Sequence, residues 1–363
     1  MMKEFSTYKK EDVIFLLKDI SNLINEEDNL TREKKIQSGT HYSEMIPIEY
    51  KVSEEYLNLY REKLSSTKNK LAFAIGVMSE KILKKNKENV ILVSLARAGT
   101  PIGILSKRYI KLRYNLDLPH YTISIIRDKG IDVNAIKYIL KKHPNSKIQF
   151  IDGWTGKGTI ANELKKACVE LEKIFKVPFD SSLAVLADPC GYSNLYGIRE
   201  DFLIPSACLN STVSGLVSRT VLRSDIIGDN DFHGAKYYRE LKNQDESNKY
   251  IDTITSCFED QFENIDMAMK NWKEDIITKI GDEDVKIIKE KYEIDDINFI
   301  KPGVGETTRV LLRRIPHKIL VNDLNNKELR HILILAKEKN VEVEQVNFKA
   351  YSCCGIIKRI KDI

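Results

Sequence analysis

The alternation that begins at Asn89 constrains this chain more than any other feature. "NVILVSL" is a short β-branched run, "PIGILSKRYIKL" has helical spacing, and "HYTISII" is strand-like again. "NAIKYILKKH", "KIQFID", "TIANELKKACVELEKIF" and "SLAVLAD" then continue helix, strand, helix, strand. Near-continuous apolar strands separated by helices predict parallel β-α-β units buried under helices on both faces. In such α/β sheets ligands bind in the loops at the carboxyl ends of the strands.

The flanks read differently. Residues 1–85 are predicted mostly helical from "EDVIFLLKDISNLI" and the long "SEEYLNLYREKLSSTKNKLAFAIGVMSEKILKK", with a lid-like loop at 37–50 where Gly, Ser and Pro break both periods. The alternating core takes residues 86–245, and long helical patterning returns over 246–293. From 294 to 363, "KPGVGETTRVLLRR", "KILVND", "ELRHILILAKEKN" and "VEVEQV" predict a small separate α/β domain of loop, helix, strand, helix and strand.

Composition narrows the class. The 363 residues are 42% hydrophobic and 31% charged, which excludes a fibrous or disordered chain. No apolar run reaches about 18 residues and the N-terminus lacks a signal-peptide pattern, so a cytoplasmic protein without a membrane partner is expected. Six cysteines without a C-x-x-C pair suggest reduced thiols and no zinc site. The net charge of +5 is concentrated late: Lys301 to Ile363 carries 13 Lys/Arg against 7 Asp/Glu. That tail is either a solvated face or a nucleic-acid contact.

The loops carry the chemistry. In "IQFIDGWTGKGTI" an apolar strand reaches Asp152, and the turn Thr155, Gly156, Lys157, Gly158 and Thr159 opens a helix. Backbone N–H groups of a Gly-rich turn at a helix start suit a phosphate; the other reading is a capped tight turn. It is not a Walker A loop, since position 151 is Ile and Lys157 is followed by Gly158. In "VSLARAGTPIG" a second strand-to-helix turn presents Arg97, Ala98, Gly99 and Thr100, where Arg97 suits a second anionic group.

On these residues the chain resembles type I phosphoribosyltransferases. The resemblance implies that Thr155 to Thr159 bind a 5′-phosphate, that Asp152 contacts ribose hydroxyls with Mg2+, and that Arg97 to Thr100 form a pyrophosphate loop. "IIRDKGID" lies where such enzymes have a mobile loop, offering Arg127 and Lys129 as catalytic groups beside Asp152 and Arg97; its other reading is an exposed charged loop. One departure stands out. The family has two adjacent acidic residues, and here the second is Gly153.

Longer segments resemble one group more specifically. "ADPCGYSNLYGIREDFLIPSACLNSTVSGLVSRTVL", "QSGTHYSEMIPIEY" and "DFHGAKYYREL" are similar to the bacterial phosphoribosyltransferase-like proteins of tellurite-resistance and stress-response gene clusters labelled cysteine protease StiP. In that group a Pelota-like RNA-binding domain follows, and "KPGVGETTRVLLRRIPHKILVND" is similar to its opening. The expected fold is thus α/β, a Rossmann-like phosphoribosyltransferase core with a parallel sheet, helical N-terminal and linking segments, and a small C-terminal Pelota-like domain.

The expected activity is phosphoribosyl transfer from phosphoribosyl diphosphate, or cleavage of a phosphorylated nucleoside, with magnesium at Asp152. Such chemistry passes through an oxocarbenium-like sugar and needs positioned phosphates more than a nucleophile. Asp188, Arg199, Asn210, Ser211 and Thr212 are candidates for the substrate pocket, with His41, Tyr42 and Glu44 as a lid. Two alternatives stand beside it. A thiol protease would use Cys208 or Cys190 with His233 or His41 as base. A non-catalytic nucleotide or RNA sensor would explain Gly153. Lys301, Arg309, Arg313 and Arg314 either contact RNA or belong to a docking domain that presents its basic residues to the main site.

Overall fold

Six parallel strands form the main sheet of the computed structural model, which describes residues 5–49, 51–270 and 272–359. Tyr50, Asn271 and residues 360–363 fall within the predicted lid-like loop, linking helices and C-terminal domain, and lie outside the described residues. The strand order is Ile14–Phe15, His120–Ile123, Val90–Leu95, Lys147–Trp154, Leu183–Ala187 and Leu195–Ile198. Val90–Leu95 and Leu183–Ala187 are buried at every residue, as strands covered on both faces require. Their alternate side chains feed two cores. Val90, Leu92, Ala184 and Leu186 pack with the helices Glu54–Asn86 and Gly99–Tyr114, whereas Ile91, Val93, Leu183 and Val185 pack with Val133–Lys142 and Thr159–Phe175. The parallel α/β core expected from the alternation is therefore present.

The 33-residue helix Glu54–Asn86 forms where the sequence predicts one. Ser53 caps it by accepting from the Tyr56 N–H at 3.2 Å, Glu54 and Glu55 occupy the positive end, and Lys84 and Lys85 the negative end. It lies so close on the sheet that a Cβ at Gly197 would stand 2.4 Å from the Ala74 carbonyl oxygen.

The first predicted helix does not form. Within "EDVIFLLKDISNLI", Ile14–Phe15 becomes the edge strand beside Tyr121 and Thr122, and Lys18–Asp19 pairs with Gly234–Ala235. An open sheet edge offers unpaired N–H and C=O groups, and satisfying them outweighs a helical apolar period. The linking region is also broken into shorter helices, Ser247–Thr255, Phe262–Lys270 and Gly281–Lys291.

The C-terminal segment has its own sheet, ordered Ile300–Pro302, Cys353–Ile357, Pro316–Val321 and Glu342–Gln345. The last two strands pair parallel and the other neighbours antiparallel. Cys353–Ile357, which the sequence reading left unassigned, is buried throughout near the middle of this sheet. The helices Val304–Arg313 and Arg330–Glu338 cover it. This unit is fastened to the main sheet: Val304, Leu311 and Ile319 share an apolar cluster with Leu71 and Leu203. Asp201 accepts the Val304 N–H at 2.9 Å and the Ser352 N–H at 2.7 Å. Among the described residues no helix is long and apolar enough to cross a membrane.

Candidate anion-binding cleft

Between the two units lies a cleft of about 660 Å³. Its floor is the turn that follows the strand Lys147–Trp154. The Thr155 N–H continues the sheet by donating to Ala187 O at 3.1 Å, and Gly158 then turns the chain at a φ of +72° into the helix Thr159–Phe175. Only glycine fits there, since a Cβ would stand 2.2 Å from the Tyr192 ring. No side chain caps this helix and no acidic residue sits in its first turn. Its free N–H groups and dipole are therefore directed at the cleft, where Thr159, Ile160 and Ala161 line the wall.

The turn is held from beneath. Asp188, fully buried, accepts from the Thr155 hydroxyl, from the Tyr192 N–H at 3.0 Å and from the Ser193 N–H at 2.8 Å, and pairs with Arg199. Arg199 also lies over the Tyr196 ring, 3.8 Å from its centroid. Asp188 and Arg199 thus support the turn from behind instead of lining a substrate pocket.

Above the turn, cationic side chains converge from four separate segments: Arg32, Arg127, Arg219, and the group Lys301, Arg309 and Arg314. Part of this charge is compensated. Arg314 binds Glu33 through Nε at 2.6 Å and Nη2 at 2.9 Å, and Arg309 pairs with Glu306 at 3.0 Å while stacking over Trp154. The rest is not. Arg32 is 2% exposed and its Nε has no hydrogen-bond partner among the described residues. Arg219 lies over the Tyr42 ring, 4.4 Å from its centroid.

The ionisation of these groups reflects the crowding. Burial and the Arg314 charge pull Arg32 down to about 10, and burial and the Arg32 charge pull Arg219 down to about 9. Burial likewise lowers Lys157 to about 8 and, together with the Lys157 charge, lowers Lys301 to about 7. Burial pushes the Asp152 carboxyl up to about 7 despite the Gly153 N–H that donates to it at 2.7 Å. His41, which lines the cleft beside Tyr42, is lowered by burial and by Lys129 and Arg127. Cations lowered by burial, and further by one another, would be stabilised in their charged forms by an anion placed among them.

Several expected site residues lie elsewhere. Arg97 turns away from the cleft, donating to Val217 O at 2.8 Å and pairing with Glu49 at 3.4 Å. Gly99 and Thr100 are buried in their helix, with Thr100 bonded to the Thr122 hydroxyl, so Ala98 alone of that turn reaches the cleft. The pyrophosphate loop is thus not assembled. Lys129 is exposed and Glu44 is not on the cleft wall. Asn210, Ser211 and Thr212 pack near the helix Ser247–Thr255, where the Thr212 carbonyl accepts the Glu246 N–H at 2.8 Å. Arg313 is behind the cleft, held well below its usual range by burial and the Arg97 charge. Lys301, Arg309 and Arg314 face inward, as a docking unit that presents basic residues to the main site would.

A magnesium site is not supported by the donors. Asp152 is a single carboxyl that burial holds near neutrality, Gly153 replaces its neighbour, and Glu306 is tied to Arg309. Among the described residues no group of three His, Cys, Asp or Glu side chains is placed to hold a metal.

Neither expected thiol–imidazole pair forms. Cys208 is fully buried and pushed up to about 12 by that burial. Cys190, equally buried, donates to the Thr155 hydroxyl at 3.0 Å, and burial and the Asp188 charge raise its thiol. His233 bonds the Ser124 hydroxyl through Nδ1 at 2.9 Å, and His41 bonds Ser43 at 2.8 Å. The groups that sequence reasoning missed are Arg32, Arg219, Glu306 and Tyr351, whose hydroxyl donates to the Gly156 carbonyl at 2.8 Å. No local motif marks them, because Arg32 and Arg219 reach the cleft from segments distant in sequence, and Glu306 and Tyr351 through docking of the C-terminal unit.

An α/β core whose Gly-rich strand-to-helix turn is covered by a basic C-terminal unit is the class these features define. Comparison with known proteins makes this specific. Residues 6–255 match the family model described as tellurite-like stress resistance cysteine protease StiP, and residues 279–359 match the PELOTA RNA binding domain. The chain belongs to this StiP family. It is 32% identical over 369 residues to the cysteine protease StiP of Acinetobacter baylyi, covering 98% of this chain and 94% of that protein.

Similarity to solved structures is too slight to inform the ligand. A hypothetical protein of Neisseria gonorrhoeae crystallised with ppGpp aligns at a TM-score of 0.21 and 13% identity, over 32% of this chain and 66% of that one. A NifS-like protein of Rickettsia africae aligns at 0.20 and 13% identity over 96% of each chain. The family description overturns phosphoribosyl transfer as the expected activity and enzyme class, since it names a cysteine protease. The geometry agrees in one respect, because Arg97 and Gly153 leave the expected transferase site without its pyrophosphate loop and second carboxylate.

Proposed function

We propose that this chain serves its stress response by binding a phosphate-bearing ligand of nucleotide type in the cleft, as a sensor or receptor. The observation that carries this reading is the convergence of Arg32, Arg219, Lys301 and Lys157 on an uncapped helix start, with the Arg32 Nε buried and unpartnered. Burying such charge without a counter-ion is costly, and an anion offsets that cost. The order of the parallel strands, with both turns at their carboxyl ends, supports a phosphoribosyltransferase-like core used for binding. Six free, buried cysteines are in keeping with a reducing, cytoplasmic setting. Calorimetric titration of the full chain with pyrophosphate tests the reading. Wild type is expected to bind, and Arg32→Ala and Lys157→Ala to lose at least tenfold in affinity; no heat from wild type would sink it.

A second reading, thiol proteolysis, is favoured by the family match. Within it, Cys190 is the better nucleophile than Cys208, because its Sγ contacts Thr155 of the cleft turn. A thiolate there requires the Thr155, Cys190 and Asp188 packing to open, since burial and Asp188 favour the neutral thiol. A casein-type proteolysis assay that Cys190→Ala abolishes and Cys208→Ala spares supports this assignment; equal activity in Cys190→Ala rejects it.

A further inference from the structure

Adjoining the cleft is a second hollow of about 460 Å³. Arg127, Lys157, Thr159 and Asn298 line both, so one rim separates them. That rim is a strut between the two units. Arg127 Nη1 donates to Asn298 Oδ1 at 2.7 Å, and Lys157 Nζ donates to the carbonyls of Ile297 and, at 3.1 Å, Ile300.

The second hollow, like the first, is lined by more cations than anions. Its carboxylates are all engaged internally: Asp128 by Arg127 at 2.9 Å, Glu163 by the Asp128 and Gly130 N–H groups at 3.1 Å, and Asp282 by the Tyr192 hydroxyl at 2.8 Å. Three of its four lysines are not. Lys166, from the helix that begins at the phosphate turn, and Lys286 and Lys289, from Gly281–Lys291, are exposed and have no ion-pair partner among the described residues. Each hollow has the volume of a small-ligand site, so one mononucleotide fills one and leaves the other's cations uncompensated. Each also has an aromatic wall, Phe299 in the first and Tyr192 in the second. Cations tracking a backbone with aromatic rings beside them are the components of a single-strand nucleic-acid site.

We propose that the two hollows form one track for a single RNA strand. One phosphate sits at the Thr155–Thr159 turn among Arg32, Arg219 and Lys301, the chain crosses the rim at Arg127, and later phosphates meet Lys166, Lys286 and Lys289. The inference rests on the phosphate reading of the cleft and assigns its ligand as a polymer. RNA is chosen because the residues matching an RNA-binding domain, 279–359, supply one wall of both hollows. An acidic protein segment, whose carboxylates a helix start also accepts, is the competing occupant, and the test below separates the two.

The test is fluorescence anisotropy of the full chain with a labelled oligouridylate of about eight nucleotides, run beside calorimetry with pyrophosphate and UMP. The oligonucleotide is expected to bind at least tenfold more tightly than UMP, with affinity falling steeply as salt rises. The exposed double variant Lys286→Glu/Lys289→Glu is expected to weaken the oligonucleotide at least tenfold while changing pyrophosphate binding far less, and Arg32→Ala to weaken both. Oligonucleotide affinity equal to that of UMP, or unchanged in the double variant, overturns the track while leaving the phosphate site standing. Loss of binding to all three probes in wild type overturns both. Displacement of the oligonucleotide by polyglutamate at equal charge concentration overturns the assignment to RNA.

Discussion

Tyr351 and Gly156 are joined across the two units: the buried phenol of the C-terminal unit donates to the carbonyl of the Thr155–Thr159 turn at 2.8 Å. This bond ties one peptide of the turn to the C-terminal unit. Tyr351→Phe removes the donor and leaves the carbonyl unsatisfied, at a cost of about 1–2 kcal/mol. We expect a lower urea midpoint and faster hydrogen exchange at the amides of residues 155–159. Unchanged exchange there would mean that the turn keeps its shape without the C-terminal unit.

Arg32 is buried beside Glu33, yet Glu33 is already bound by Arg314. On the proposed phosphate reading, the Arg32 guanidinium is a charge held for a ligand at the expense of the unliganded fold. Arg32→Met fills the same space without that charge and is expected to raise stability by about 1 kcal/mol, seen as a rise in Tm of roughly 2 °C, while pyrophosphate affinity falls. A variant that is less stable and binds normally would assign Arg32 to structure alone.

The sequence was legible where the physics is local. The strand at Lys147–Trp154, the turn at Thr155 and the helix behind it follow from apolar runs, glycines and helical spacing that lie within thirty residues of one another. Arg97 shows where such reading fails. Its place in a strand-to-helix turn is as predicted, but its side chain is claimed by Val217 and Glu49, residues far away in sequence. The direction of a long side chain depends on which partners the tertiary fold delivers. Arg32 and Arg219 were missed for the same reason, since their neighbours in the cleft come from segments distant in sequence. The edge strand Ile14–Phe15 carried a helical period that a neighbouring open sheet edge overrode.

Asp152 gives the stability a specific pH signature. Its folded value of about 7, raised by burial, lies above the ordinary 3.8. The folded state therefore holds a proton that the unfolded state releases between these values. The stabilisation is fully present below about 4 and is lost as pH rises through 7. Asp152→Asn removes this term. Urea unfolding at pH 5 and pH 8 should show the wild type losing about 2–3 kcal/mol more than the variant across that interval; parallel profiles would show an ionised Asp152.

The cysteines are predicted to be silent in the resting fold. All six are free and buried, and burial raises the thiols of both Cys190 and Cys208. Iodoacetamide labelling of the native chain at pH 7.5, read by mass spectrometry, is expected to modify neither within minutes. Selective modification of Cys190 would reveal an open state of the Thr155 turn and strengthen the proteolytic reading.

Binding at the cleft should take up protons. Burial holds Lys157 at about 8, and burial with the Lys157 charge holds Lys301 at about 7, so near pH 8 both are partly neutral in the free protein. An anion placed between them favours their charged forms and moves both values upward. The bound state then carries more protons, so affinity for pyrophosphate is highest below about 7 and falls as pH rises through 8. Calorimetry at pH 8 in two buffers of different ionisation enthalpy measures the uptake directly. We expect uptake approaching one proton per site in wild type and a smaller value in Lys301→Met; identical apparent enthalpies in the two buffers would show that both lysines are already charged before the anion arrives.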